Sequence, residues 1–320
     1  MDRVGILTSG GDAPGMNAAV RAVVRKSIYY NMEVFGIQRG FSGLINGEFV
    51  QMELSSVADI IHRGGTVLRT ARCPEFVTKE GQEKALEVIK EYSFDGLVVI
   101  GGDGSFRGAM ALANTGIINT IGIPATIDND IPGTEVSIGF DTAMNTITDA
   151  INKLRDTATS HERIFVLEVM GRDTGFLALH AGLAGGAESI LIPEMDFDIQ
   201  KVCDRIIRGH NRGKLHSIIL VAEGAASGLA IAEAIKKCTN MDTRVTILGH
   251  LQRGGTPTAF DRNIASRLAS KAVDLLREGK SNLMVCMAAG DITALEFSSA
   301  LSQKKNVDED IYELAGILST

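Results

Sequence analysis

Gly96-Leu97-Val98-Val99-Ile100-Gly101-Gly102-Asp103-Gly104-Ser105 passes from an unbroken apolar run into a turn of three glycines around one aspartate, and a segment of helical period follows over 105–114. An apolar run without polar alternation fits a strand covered on both faces, as in a parallel sheet. The same sequence of strand, glycine-marked exit and helix recurs in both directions along the chain. Strands are predicted over 3–7, 33–37, 96–100, 120–123, 164–168, 189–192, 217–221, 244–248 and 283–287. Helices are predicted over 16–30, 82–92, 105–114, 141–159, 199–212, 229–238, 259–276 and 308–318. Their alternation is the pattern of parallel sheets with crossover helices, and nine strands are many for one sheet. The expected fold class is therefore α/β, with two doubly wound α/β domains of mostly parallel sheet that divide near Gly139. Arg63-Gly64-Gly65-Thr66 returns as Arg253-Gly254-Gly255-Thr256, an echo too brief to make an internal repeat.

The composition, 45% apolar and 22% charged over 320 residues, excludes disorder and fibres. A net charge of −7 opposes a main role in gripping nucleic acid or an anionic membrane, either of which needs a basic face. No apolar run approaches the ~18 residues of a membrane span, and Met1-Asp2-Arg3-Val4-Gly5 lacks the basic and apolar regions of a signal peptide. A cytoplasmic protein is expected. Cys73, Cys203, Cys238 and Cys286 are far apart, with no Cys-x-x-Cys, and read as reduced thiols.

In doubly wound sheets ligands bind beyond the carboxyl ends of the strands, so the residues after predicted strands carry the chemistry. The first such loop is Thr8-Ser9-Gly10-Gly11-Asp12-Ala13-Pro14-Gly15. Its glycines let backbone N–H groups approach a phosphate at a helix N-terminus, although an ordinary glycine turn looks the same. In the second, Gly101-Gly102-Asp103-Gly104-Ser105, an aspartate between glycines suits Mg²⁺ held on polyphosphate oxygens; an Asx turn is the bland alternative. The third, Pro124-Ala125-Thr126-Ile127-Asp128-Asn129-Asp130, offers two carboxylates, one to take a proton from a hydroxyl and one to orient it or a metal.

The second half adds Arg155, His161 and Arg163 around one strand, Met170-Gly171-Arg172 after it, Glu223 after another, and Arg244, His250 and Arg253 around a third. In an acidic chain, arginines grouped at strand ends point to an anion, because their forked donors match phosphate. Glu223 is an acceptor for sugar hydroxyls. The residues alone thus suggest Mg²⁺-dependent phosphoryl transfer from a polyphosphate to a hydroxyl of a phosphorylated small molecule.

Five ordered motifs then carry a resemblance to the bacterial ATP-dependent 6-phosphofructokinase family over nearly the whole chain. They are residues 7–17, 101–105, 126–130, Met170-Gly171-Arg172 and Leu248-Gly249-His250-Leu251-Gln252-Arg253-Gly254-Gly255. The resemblance implies a phosphofructokinase-like fold, with 1–138 plus 251–304 as nucleotide-binding domain and 139–250 plus 305–320 as fructose 6-phosphate-binding domain. It implies Asp128 as the base for the C1 hydroxyl, with Arg172 and Thr126 stabilising the transferring group, and Asp103 as the Mg²⁺ residue. Gly11, Arg72, Cys73, Gly102, Gly104 and Ser105 are implied around ATP. Asp130, Arg163, Met170, Gly171, Glu223, Arg244, His250 and Arg253 are implied around the sugar phosphate, with Arg163 and Arg244 entering from a neighbouring subunit of a homotetramer.

A second site, for ADP or phosphoenolpyruvate, is implied at Arg21, Arg25, Asp59, Arg155, Gly186, Glu188, Arg212, Lys214 and His216. The chain departs from the family at Leu54, where regulated members carry Arg, and at Cys73, where an aromatic residue is common beside the adenine. Gly104 stands where pyrophosphate-dependent relatives carry Asp, which favours ATP, while Ala125 matches neither the Gly of the ATP enzymes nor the Lys of those relatives. A pyrophosphate-dependent enzyme and a non-catalytic sugar-phosphate sensor are the alternatives.

Overall fold

The computed structural model describes residues 1–319; Thr320, with which the expected second domain ends, lies outside them. The strands are β1 (Arg3–Thr8), β2 (Glu33–Ile37), β3 (Phe49–Gln51), β4 (Gly96–Gly101), β5 (Asn119–Pro124), β6 (Ile164–Val169), β7 (Ser189–Leu191), β8 (Ser217–Ala222), β9 (Thr243–Ile247), β10 (Leu283–Ala288) and β11 (Asp291–Glu296). The helices are α1 (Met16–Tyr29), α2 (Phe41–Asn46), α3 (Lys79–Glu91), α4 (Asp103–Ala113), α5 (Phe140–His161), α6 (Phe176–Gly185), α7 (Ile199–Asn211), α8 (Gly228–Thr239), α9 (Ala259–Arg277), α10 (Phe297–Leu301) and α11 (Glu309–Leu318). All nine predicted strands form. The two additional ones, β3 and β11, are antiparallel edges that the search for apolar parallel runs passes over. Of the three helices not predicted, α2 and α10 are only one or two turns long, and α6, apolar apart from His180, shows no 3.6-residue period to read.

The chain forms two compact units. The first comprises Met1–Ile127, Ile131–Thr142 and Arg253–Lys305; the second comprises Asp128–Asp130, Ala143–Gln252 and the residues from Asn306 onward. The first contains a seven-stranded sheet in the order β11-β10-β5-β4-β1-β2-β3. Its five inner strands are parallel. β10 and β11 are joined by Ala289-Gly290, both at positive φ, the two-residue turn that matches strand twist. Its core includes Leu7, Leu97, Val99, Leu112 and Met284, with the rings of Phe106 and Phe297 stacked at 5.4 Å. The two echoing tetrapeptides meet here, Gly64 abutting the carbonyl of Gly255. Fully buried Asn17 holds the first of them: its Nδ2 donates to the Arg63 and Gly65 carbonyls at 2.9 and 2.8 Å, and its Oδ1 accepts from Val67 N at 2.8 Å.

Asp261 of α9 is also fully buried and sits where α5 begins. It accepts from Gly139 N, Thr142 N and Thr142 Oγ1 at 2.9, 2.8 and 2.5 Å. Burial pushes its carboxyl up to about 6 despite those donors.

The second unit is a parallel sheet in the order β7-β8-β6-β9. Helices α7 and α8 cover it through Val202, Ile206, Ile231 and Ile235, which pack on Val166, Ile219 and Val221. Here the structure corrects the reading of four reduced thiols: Cys203 and Cys238 form a disulfide, their Cα atoms 6.5 Å apart, while Cys73 and Cys286 are free. Their sequence separation of 35 hides the pairing, because the α7-β8-α8 crossover lays the two helices side by side.

Candidate active site

The first two loops and the start of the third, through Ile127, come together at the carboxyl ends of the first unit's strands. Ser9 N donates to Ile100 O at 2.9 Å, tying the first loop to β4, and Ala125 N donates to Gly101 O at 2.9 Å, tying the third to the second. Helices α1 and α4 start at Gly15 and Gly102 with no side-chain cap, so no capping side chain competes with an anion for either N-terminus. Ser105 is buried in the first turn of α4, while a Cβ on Gly104 would meet nothing within 4 Å. Thr126 is half-buried, its carbonyl accepting from Ser137 Oγ at 2.6 Å. Arg72 is exposed, and Cys73 packs against the core just ahead of a short 3-10 turn, Pro74–Val77.

Arg253, expected among the sugar-phosphate residues, belongs to this unit. Its guanidinium crosses Gly11, where a Cβ would lie 2.5 Å from Nη1, and donates to Asp12 O at 3.1 Å. Asp103 is half-exposed on the first turn of α4, and a residue the sequence reading missed, Arg107, forks onto it. Nε and Nη2 donate to the two carboxylate oxygens at 2.8 and 3.1 Å. The i, i+4 spacing was the available signal. A carboxylate already holding a cation beside an open helix N-terminus fits Mg²⁺ that arrives on phosphate oxygens, since that ion keeps several outside ligands.

In the second unit, Asp128 is 2% exposed and Arg172 Nε stands 3.6 Å from its Oδ2. Arg172 follows β6 in the left-handed region at φ +50. It is held there by a hydrogen bond from its N–H to Glu223 Oε1 at 2.9 Å. Gly224 is required next door, because any Cβ would collide with the Arg172 carbonyl. Glu223 therefore supports Arg172. Gly171 accepts from Thr174 Oγ1 at 2.9 Å. Met170 N donates to Oε1 of fully buried Gln252 at 3.1 Å, and Gln252 Nε2 donates to Gly249 O at 3.0 Å, fixing the turn that presents exposed His250. The sequence motif assigns Gln252 no role; its burial reveals one. Asp130 is half-buried beside Asn129, which is at φ +51.

Arg163 and Arg244 do not join this group. They flank the opposite end of the sheet, before β6 and at the start of β9, where Nε of Arg163 and Nη2 of Arg244 both donate to Asp242 Oδ2 at 2.7 and 3.2 Å. Six residues of strand, roughly 20 Å, separate them from Arg172.

Six of the expected effector residues, Arg155, Gly186, Glu188, Arg212, Lys214 and His216, lie in the second unit. Arg155 Nη2 donates to the carbonyls of Gly185 and Gly186. Buried Glu188 pairs with Lys214 Nζ at 2.7 Å, and Thr159 Oγ1 lies 3.4 Å from His216 Nδ1. Burial pulls the His216 imidazole below its ordinary value, with Arg155 and Lys214 adding to the effect and Glu188 opposing it. Arg212 ends α7, and Arg205, absent from the expected set, donates from Nη1 to Glu188 O at 2.8 Å. Arg21, Arg25 and Asp59 lie in the first unit, the arginines one turn apart on α1.

Uncapped helix N-termini, glycine loops and an arginine-paired buried aspartate define an α/β protein equipped for phosphoryl groups. The chain belongs to the phosphofructokinase family, whose model, described as Phosphofructokinase, matches residues 3–276. It is 59% identical to a protein of Bacillus pumilus and 58% identical to one of Bacillus licheniformis, each over 319 residues and the full length of both chains; both are named ATP-dependent 6-phosphofructokinase. The solved phosphofructokinase of Saccharomyces cerevisiae superposes with a TM-score of 0.89 at 34% identity over 94% of this chain, which spans 45% of that longer one.

Proposed function

We infer that this chain transfers the γ-phosphoryl group of ATP to the C1 hydroxyl of fructose 6-phosphate, giving fructose 1,6-bisphosphate and ADP. Full-length identity near 59% to ATP-dependent relatives supports the reaction. The observation that carries the mechanism is the Asp128–Arg172 pair at 3.6 Å. Asp128 takes the proton of the C1 hydroxyl as that oxygen attacks phosphorus, and Arg172 with Thr126 balances charge on the moving group. Such transfers depend on positioning and electrostatics more than on covalent help. Held in the left-handed conformation by Glu223, Arg172 keeps its guanidinium near the acceptor. Gly11, Arg72, Cys73 and Gly102 to Ser105 hold the nucleotide, and the open space at Gly104 favours ATP over a donor without an α-phosphate. Asp103 would hold Mg²⁺, which supplies neutralisation of the polyphosphate oxygens.

In this reading the first unit is the nucleotide-binding domain and the second the fructose 6-phosphate-binding domain. Asp130, Met170, Gly171, Glu223, His250 and Arg253 bind the sugar phosphate. Arg163 and Arg244, at the far end of the sheet, serve the site of a neighbouring subunit in a homotetramer. Arg155, Gly186, Glu188, Arg212, Lys214 and His216, with Arg21, Arg25 and Asp59, bind ADP or phosphoenolpyruvate. The reaction belongs to glycolysis in the cytoplasm; no helix among the described residues is long and apolar enough to cross a membrane. The test is fructose 1,6-bisphosphate formation from fructose 6-phosphate and Mg²⁺, run in parallel with ATP and pyrophosphate. ATP alone should give product. Product with pyrophosphate only, or with neither donor, overturns the reading.

A further inference from the structure

The Arg107 fork occupies both oxygens of the carboxylate that the proposed reaction assigns to the metal. Bidentate arginine–carboxylate pairs are the strong form of this contact, with geometry a point charge cannot reproduce. A bare divalent cation arriving at Asp103 has to displace the guanidinium and then sit beside a released positive charge. A cation carried on a nucleotide triphosphate is in a different position, because the complex is net negative and its oxygens compensate the arginine that the metal displaces. Arg107 is exposed, with 56% of its side chain in solvent, so nothing packed above it prevents the exchange. The open N-terminus of α4 favours negative charge at the same place, which reinforces the preference for an anionic complex.

We propose that Arg107 is a specificity-determining residue that guards Asp103 against free divalent cation and admits metal in the form of its nucleotide complex. This rests on the reading of Asp103 as the metal residue. A pair that merely supports the first turn of α4 would leave metal affinity unchanged, so the readout is binding of Mn²⁺ without nucleotide, followed by electron paramagnetic resonance. Arg107→Gln should bind Mn²⁺ about threefold more tightly than the parent, the scale of an exposed pair, and Arg107→Lys should return part of the way. The double variant Asp103→Asn/Arg107→Gln should lose the gained binding. Equal Mn²⁺ affinity in parent and Arg107→Gln, or no saturable binding to Arg107→Gln, overturns the guard. Tighter binding that survives Asp103→Asn overturns the metal assignment beneath it. Circular dichroism of each variant separates either result from misfolding.

Discussion

Arg172 approaches Asp128 from solvent, 65% of its side chain exposed against 2% for the carboxylate 3.6 Å away. The acid is fixed by its surroundings and the base-pairing cation is not, so the arginine can turn toward an incoming anion without disturbing the aspartate. That asymmetry suits a base that must hold its place while charge is redistributed in front of it.

Asp128→Asn should lower kcat by about 10²–10⁴-fold while the dissociation constant for fructose 6-phosphate stays within a few-fold. Steady-state rates with equilibrium binding would decide it. A kcat within tenfold of the parent removes Asp128 from the role of base.

Asp261 gives a stability prediction with a definite sign. Its folded pKa, about 6, lies above the ordinary 3.8, so the folded state holds the proton more tightly than the unfolded chain. Its contribution is full below pH 3.8 and is lost as pH rises through about 6. Two pKa units correspond to about 3 kcal/mol. Asp261→Asn should flatten that slope, so urea unfolding at pH 4.5 and pH 7 should show the parent losing more stability between them than the variant. Parallel losses would contradict the assignment.

The Cys203–Cys238 disulfide predicts two titratable thiols, Cys73 and Cys286, in protein denatured without reductant, and two more once it is reduced. Reduction should cost about 2–4 kcal/mol of unfolding free energy, because the link closes a loop between two helices. Four thiols before reduction would show that the bond does not form in solution.

At the proposed effector site, His216 would tie binding to pH. With its imidazole held below the ordinary value, it is neutral near pH 7. A phosphorylated effector favours the charged ring, so binding takes up a proton and weakens as pH rises through the bound-state value. Calorimetric ADP affinity should be higher at pH 6 than at pH 8, and His216→Gln should reduce the difference. Equal dependence in parent and variant would exclude the histidine.

The parallel strands of the two sheets and the three loops were legible because each rests on local pattern: an apolar run, a glycine turn, a helix start. The loop contacts Ser9–Ile100 and Ala125–Gly101 follow from parallel registers that such patterns imply. What stayed hidden depends on distant chain. Asp261 beneath α5, Gln252 behind Met170 and Asn17 behind the 63–67 loop are buried polar groups whose partners lie far from the helix or turn that carries them. Arg163 and Arg244 lie at the strand starts and Arg172 beyond a strand end, a separation that the predicted strand ranges already carry although charge alone groups the three.

The seven-stranded sheet of the first unit has a consequence for synthesis. β10 and β11 extend it beyond β5, and α9 packs on α1, where Lys26 Nζ meets Asp274 Oδ2 at 2.5 Å. A ribosome delivers those pieces only after the whole of β6 to β9. The half of the chain made first therefore waits, one face of α1 and the edge of β5 uncovered, while the second unit emerges nearly entire and can close ahead of it. Order of translation and order of completion are opposed, and a nascent chain stalled before residue 259 leaves the first-born half unfinished.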